Sequence, residues 1–121
     1  MFKAQCHCGK VRLSTPKVPT EITRCNCSIC NRLGALWAYY PENTVSIDVE
    51  SLLTYTWGEK KIKFHRCGIC GCTTHYSSVE DNGFAQIAIN TRMSEYEQIK
   101  SIHIRDFDGA DTWKYLDSPN T

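Results

Sequence analysis

Cys67-Gly68-Ile69-Cys70-Gly71 is written as a metal knuckle. A tight turn of this kind converges two thiolates, and the glycine that follows tolerates a positive φ. Two sulfurs do not complete a site, because a structural zinc takes four ligands in a tetrahedron. Outward along the chain, two C-x-C pairs could complement it, Cys6/Cys8 in Cys6-His7-Cys8-Gly9 and Cys25/Cys27. In a strand, residues i and i+2 point to the same face, so a C-x-C pair offers both sulfurs to one side. One C-x-C and one C-x-x-C supply four ligands. Cys25-Asn26-Cys27-Ser28-Ile29-Cys30 is a different device, since it gathers three thiols in one short segment. Three protein ligands with a fourth position left open mark a zinc that does chemistry. Spacing equally permits a second division, in which Cys72 closes that second tetrahedron.

Eight cysteines in a short chain can also form a disulfide framework, which requires an oxidising compartment. The run Met1-Phe2-Lys3-Ala4-Gln5 leads straight into Cys6 without an apolar stretch of the secretory kind, so the expectation is a cytoplasmic protein with reduced, metal-binding thiols. A chain of 121 residues is expected to form one domain, 1–121, with a core burying roughly two-thirds of the unfolded surface. No apolar run approaches the roughly 20 residues needed to span a bilayer, so no membrane partner is expected. Fourteen Lys+Arg against thirteen Asp+Glu leave a net charge of +1, which argues against a protein built to grip nucleic-acid backbones. The basic run Lys60, Lys61, Lys63 and Arg66 therefore reads as a solvated hairpin. The aromatic run Trp37, Tyr39 and Tyr40 reads as core rather than a single-strand stacking platform.

The remaining chain reads as short strands punctuated by turn residues, a mostly-β single domain. Val11–Ser14 and Glu21–Arg24 alternate apolar and polar residues, and Ala35–Tyr40 is a β-rich run stopped by Pro41. Leu52–Trp57 and Lys61–His65 flank Gly58-Glu59-Lys60; Thr73–Ser77 and Phe84–Ile89 flank a turn containing Asn82-Gly83. Ser101–Arg105 alternates again. Short helical turns are expected only at Ser28–Leu33 and Asp111–Leu116.

The three cysteine motifs in this order, C-H-C-G, C-N-C-S-x-C and C-x-x-C-G, resemble the glutathione-dependent formaldehyde-activating enzyme family, to which centromere protein V also belongs. Tyr55-Thr56-Trp57-Gly58, Ile89-Asn90-Thr91-Arg92, and Phe107-Asp108-Gly109 followed by Trp113 are further echoes, closer to the centromere-protein-V branch. The resemblance implies a zinc-stapled β-tent of small antiparallel sheets. It also implies a structural zinc on Cys6, Cys8, Cys67 and Cys70, and a second, catalytic-type zinc on Cys25, Cys27 and Cys30. The implied activity joins glutathione and formaldehyde as S-(hydroxymethyl)glutathione, a carbon–sulfur lyase reaction read in reverse. The implied partners are a small thiol and a small aldehyde. A non-catalytic zinc module for protein interaction, like centromere protein V, is the alternative.

A three-thiolate zinc suits that chemistry, because a substrate thiol bound as fourth ligand is held as thiolate at neutral pH. The histidines are weaker candidates. His7 is expected to face away from its flanking sulfurs, and His65, His75 and His103 lie on expected strands as packed or exposed residues. Arg92 could anchor a substrate carboxylate through a bidentate contact or stand solvated. The clustering predicts about two zinc ions per reduced chain and no disulfides. Native mass spectrometry with thiol quantitation checks this, and finding disulfides without metal would refute it.

Overall fold

The computed structural model describes residues 1–56, 62–79 and 85–116. The turns expected at Gly58-Glu59-Lys60 and Asn82-Gly83, together with Trp57, Lys60, Lys61 and Phe84, lie outside the described residues. The elements run β1 (Phe2–Gln5), β2 (Val11–Thr15), β3 (Glu21–Cys25), α1 (Ser28–Leu33) and β4 (Trp37–Pro41). They continue as β5 (Ser46–Val49), β6 (Leu52–Tyr55), β7 (Ile62–Cys67), β8 (Thr73–Val79), β9 (Ala85–Asn90), α2 (Tyr96–Ile99) and β10 (His103–Phe107). The fold is mostly β.

Two sheets organise the chain. A three-stranded sheet has the order β1-β2-β5, and a seven-stranded sheet the order β10-β3-β4-β9-β8-β7-β6. Pairings are antiparallel except at one edge, where β10 runs parallel to β3. β1 and β2 alternate inward and outward side chains, with Phe2, Ala4, Val11, Leu13 and Thr15 buried. That is the pattern of a sheet with one wet face. β9 is instead buried continuously over Ile87, Ala88, Ile89 and Asn90, because both of its faces are covered.

Alternation along the large sheet sorts the core into two compartments. Ile22, Leu36, Ala38, Tyr40, Cys67, Ile87 and Ile89 point to one face, where they pack with Phe2, Ala4, Cys6, Val11 and Leu13 of the small sheet. Ala35, Trp37, Phe64 and Ala88 point to the other face and pack with Cys30. Cys25, Cys27, Ile29, Leu33 and Tyr76 adjoin this second compartment. The two thiol groups of the sequence therefore belong to opposite faces of one sheet.

Several local expectations change. The Cys6/Cys8 pair does not lie in a strand: it occupies the turn between β1 and β2, where Gly9 takes φ 80°. Cys25 ends β3 and Cys27 is the N-cap of α1, so these thiols too converge through a bend rather than a pleat. Asp111–Leu116 is not helical. Trp113 adopts φ 61°, which interrupts any right-handed turn, and Tyr115 makes a bridge to Phe107 instead. β1, β5 and α2 are elements that the pattern reading did not anticipate. β1 and β5 have four residues each, and β5 is exposed throughout, so neither offers a long periodic signal. The expected helix at Ser28–Leu33 forms with those bounds and ends on Gly34 in the left-handed region.

Phe2 ties the otherwise short β1 into the first compartment, where it is almost fully buried. Phe2→Ala is expected to cost about 3–5 kcal/mol of stability, as measured by chemical denaturation of the metal-loaded protein. A loss below about 1 kcal/mol would mean that β1 is dispensable to that core.

Candidate metal centres

The first centre is built from two glycine-closed turns brought together by the sheets. Cys6 follows β1, and its turn is held by Gly9 N–H to the Cys6 carbonyl (3.1 Å) and Cys6 N–H to the Val11 carbonyl (3.0 Å). Cys67 ends β7, and its turn is held by Gly71 N–H to the Cys67 carbonyl (3.0 Å) and Cys67 N–H to the Cys72 carbonyl (3.0 Å). Gly71 takes φ 81°, nearly the value at Gly9. Gly68 leaves room for the second turn to pass Ser51, whose hydroxyl would stand 2.2 Å from an added Cβ.

These turns set the sulfurs of Cys6, Cys8, Cys67 and Cys70 within 4.8 Å of one another. The Cys6–Cys8 and Cys8–Cys67 separations are 3.7 and 3.6 Å. A zinc ion with Zn–S bonds near 2.3 Å requires sulfurs about 3.8 Å apart in a regular tetrahedron. The donor set could therefore hold zinc. Backbone amides point at these sulfurs: Val11 N–H donates to the Cys6 sulfur (3.3 Å), and Cys70 and Ile69 N–H donate to the Cys67 sulfur (3.5 and 3.4 Å) and lower its pKa. The Cys72 and Cys8 amides together hold Cys70 down to about 5.

The second centre is local. The sulfurs of Cys25, Cys27 and Cys30 lie within 4.8 Å of one another, and among the described residues no fourth Cys, His, Asp or Glu donor joins them. This set could hold zinc through three thiolates. Cys30 faces the second compartment, where the fully buried Trp37 donates its Nε1–H to the Cys30 sulfur at 3.3 Å. The Cys30 thiol donates to Cys25, and the Cys27 and Gly109 amides add to it, so Cys25 is held down to about 5. The same contact with Cys25, together with burial, pushes Cys30 up. An aromatic wall borders the site, with Tyr76 packed edge-on against Trp37 (4.7 Å between centroids) and near Tyr39 (6.3 Å). Burial pushes the Tyr39 phenol up to about 12.

Cys72 does not approach the second centre. Its sulfur accepts the His7 amide and neighbours Cys70 and Cys6, on the face of the first centre. Its use as a fourth ligand for Cys25, Cys27 and Cys30 is thereby excluded by the sheet between them. The histidines join neither centre. His7 is exposed; His65 bonds Thr54 (2.9 Å) and Ser77 (2.8 Å); His75 is buried against Thr74 (2.7 Å), and burial pushes it down to about 3. His103 is exposed on β10. Arg92 is exposed, but its Nε–H is committed to the Gly34 carbonyl at the end of α1.

Sequence reasoning passed over three supporting groups. Asn90 accepts the amides of Leu36 (3.2 Å) and Arg92 (3.2 Å) and donates to the Thr73 carbonyl (2.9 Å), while Thr91 donates to the Leu36 carbonyl (2.8 Å). They fix the connection that follows α1. Gly109 brings a loop amide against Cys25, and the segment around it was visible only as an unassigned pattern.

Two thiol clusters on opposite faces of a mostly-β scaffold define a class of cysteine-rich protein in which one site can be closed and the other left accessible. The chain belongs to the glutathione-dependent formaldehyde-activating enzyme family, whose sequence profile matches residues 1–105. Its fold is similar to that of a solved Rhodobacter sphaeroides protein, with 24% identity and a TM-score of 0.67 over 85% of this chain and 99% of that one.

The first centre joins segments distant in sequence, so metal bound there adds to folding stability directly; the second closes only a short loop. Cys70→Ser is expected to yield insoluble or molten protein, whereas Cys30→Ser stays folded with a melting midpoint within a few degrees of the parent. Thermal unfolding with metal analysis checks this, and equal destabilisation by both substitutions would contradict it.

Proposed function

We propose that this protein is a zinc-dependent, carbon–sulfur lyase-like enzyme acting on a thiol–aldehyde adduct such as S-(hydroxymethyl)glutathione. The observation that carries the reading is the three-thiol cluster of Cys25, Cys27 and Cys30, which has no fourth donor among the described residues. Family membership supports the choice of thiol and aldehyde. On this reading Cys6, Cys8, Cys67 and Cys70 hold a structural zinc, and the protein carries two zinc ions in a reducing, cytoplasmic setting.

Bound zinc supplies a Lewis-acidic centre at which a small thiol persists as thiolate near pH 7. The protein contributes the rest. Cys25, Cys27 and Cys30, brought together at the β3–α1 bend, would hold the ion through three thiolates and leave the fourth donor to an incoming sulfur. The Trp37 N–H and the Gly109 and Cys27 amides drain charge from the cysteine sulfurs and restrain them. Trp37, Phe64 and Tyr76 exclude water from the core side. In the reaction, the substrate sulfur adds to the aldehyde carbon and a C–S bond forms. The carbonyl π pair passes to oxygen, which takes up the proton that the thiol gave up on becoming thiolate. Reversal cleaves the C–S bond and returns thiol and aldehyde.

Glutathione at millimolar concentration is expected to perturb one zinc and leave the other intact, and Cys30→Ser to abolish both that response and hemithioacetal turnover. Cys72→Ser is expected to preserve metal content and response. Metal-exchange kinetics and NMR detection of the adduct read these outcomes. Two zincs inert to thiol would favour the non-catalytic protein-interaction module.

A further inference from the structure

The loop after β10 lies beyond the residues matched by the family profile, and the proposed chemistry leaves its side chains unused. It is nevertheless built against the second centre. A Cβ at Gly109 would stand 2.6 Å from the Cys25 sulfur, 3.4 Å from the Cys27 Cβ and 3.5 Å from the Trp113 ring. Glycine is thus what allows the loop backbone to close on the cluster, with the indole edge at the same spot.

The loop is stitched in place rather than draped. Asn26, between the first two cysteines of the cluster, donates to Asp108 (3.0 Å) and accepts the Ala110 amide (3.0 Å). Asp108 also accepts from the Thr112 amide (3.2 Å) and hydroxyl (2.9 Å), and the Trp113 amide bonds the Asp108 carbonyl (2.8 Å). Trp113 is held at φ 61°, a conformation that a bulky L-residue adopts only at a cost. The result is an indole that leans on Phe107 (5.1 Å between centroids) yet remains 70% exposed. Strain of this kind persists where the surroundings over-determine it, and it concentrates at binding sites.

Direction decides what the ring faces. Cys30 is turned into the core, whereas Cys25 and Cys27 are only half-buried, on the side where the loop stands. A thiol that reaches the cluster from solvent must carry its organic part past that side. We propose that Trp113, positioned by Gly109, is a specificity-determining residue that packs against the organic part of a peptidic thiol whose sulfur is held by the Cys25–Cys27–Cys30 centre. The inference rests on the proposed function and adds to it the substrate's non-reacting portion: an extended, amide-bearing thiol is preferred to a minimal one, because a planar amide offers the indole face more contact than a hydroxyethyl group does.

The test uses the full chain with cobalt substituted at the metal sites, whose thiolate absorption reports ligand entry apart from turnover. Parent, Trp113→Ala and Trp113→Asn are titrated with glutathione and with 2-mercaptoethanol. Asn tolerates the left-handed backbone, so it removes the ring without disturbing the loop. The expected result is that both variants bind glutathione about five- to tenfold more weakly and 2-mercaptoethanol as the parent does, with metal content unchanged. Unchanged glutathione binding in both variants would overturn the role of Trp113 while leaving the proposed function standing. Equal weakening for both thiols would also overturn it, by making the ring a support of the metal site. Absence of any thiol response in the parent would overturn the inference together with the proposed function.

Discussion

The convergence of four sulfurs at Cys6, Cys8, Cys67 and Cys70 is the constraint on which the architecture depends. The two turns that carry them belong to different sheets, and each spends its backbone amides on sulfur rather than on a strand partner. Cys6 and Cys67 are themselves core residues, as buried as the Phe2 and Ile22 beside them. A small protein with short strands has limited apolar area to bury, and an ion held by these four thiolates would add a cross-link between the sheets that hydrophobic contact alone does not supply. The glycines at 9 and 71 are the local condition for this, since a side chain there would resist the backbone turn that aims the sulfurs.

The seven-stranded sheet then acts as a partition. Its alternation sends Cys67 and Ile89 one way and Trp37, Ala88 and Phe64 the other, so the two thiol clusters share a scaffold without sharing surroundings. The four-sulfur cluster offers a complete tetrahedral set of donors. The three-sulfur cluster is backed by aromatic rings and reached by a loop from the far end of the chain. Separation of this kind allows one metal site to serve stability and the other to exchange ligands.

Much of the site was legible in the sequence because thiol spacing is a direct statement about coordination. The grouping of Cys6, Cys8, Cys67 and Cys70 apart from Cys25, Cys27 and Cys30 came from the family resemblance, and the sulfur geometry agrees with it. The helix at Ser28–Leu33 and the cores of β2, β3, β4, β6, β7, β8, β9 and β10 followed from alternation and punctuation, whereas β1 and β5 did not. What the sequence did not reveal is long-range or short-range in a specific sense. Cys72 could be assigned to the first face only once β7 and β8 were paired, since its neighbours His7 and Cys70 are set by tertiary contact. The parallel pairing of β10 with β3 is equally invisible to a local pattern. The C-x-C pairs were misread as strand segments because two cysteines flanking one residue look alike in a pleat and in a turn. Asp111–Leu116 looked helical by composition, and the left-handed Trp113 was not foreseeable from a residue type that rarely adopts it.

The parallel edge has a consequence for the order of assembly during synthesis. The Cys25–Cys30 segment is complete as soon as it emerges from the ribosome, and its three thiols can gather an ion across a very short loop. Cys8 must wait for Cys67, 59 residues later, before the inter-sheet cluster can close. Gly109 and the loop around it arrive later still, and reach Cys25 only when β10 docks beside β3. The cluster with the most local donors is thus the first whose thiols are all available to an ion and the last to be enclosed by its loop. For the interval in between, an ion held there would stand open to the thiols of its surroundings, so the timing of β10 docking would bear on how faithfully it is retained.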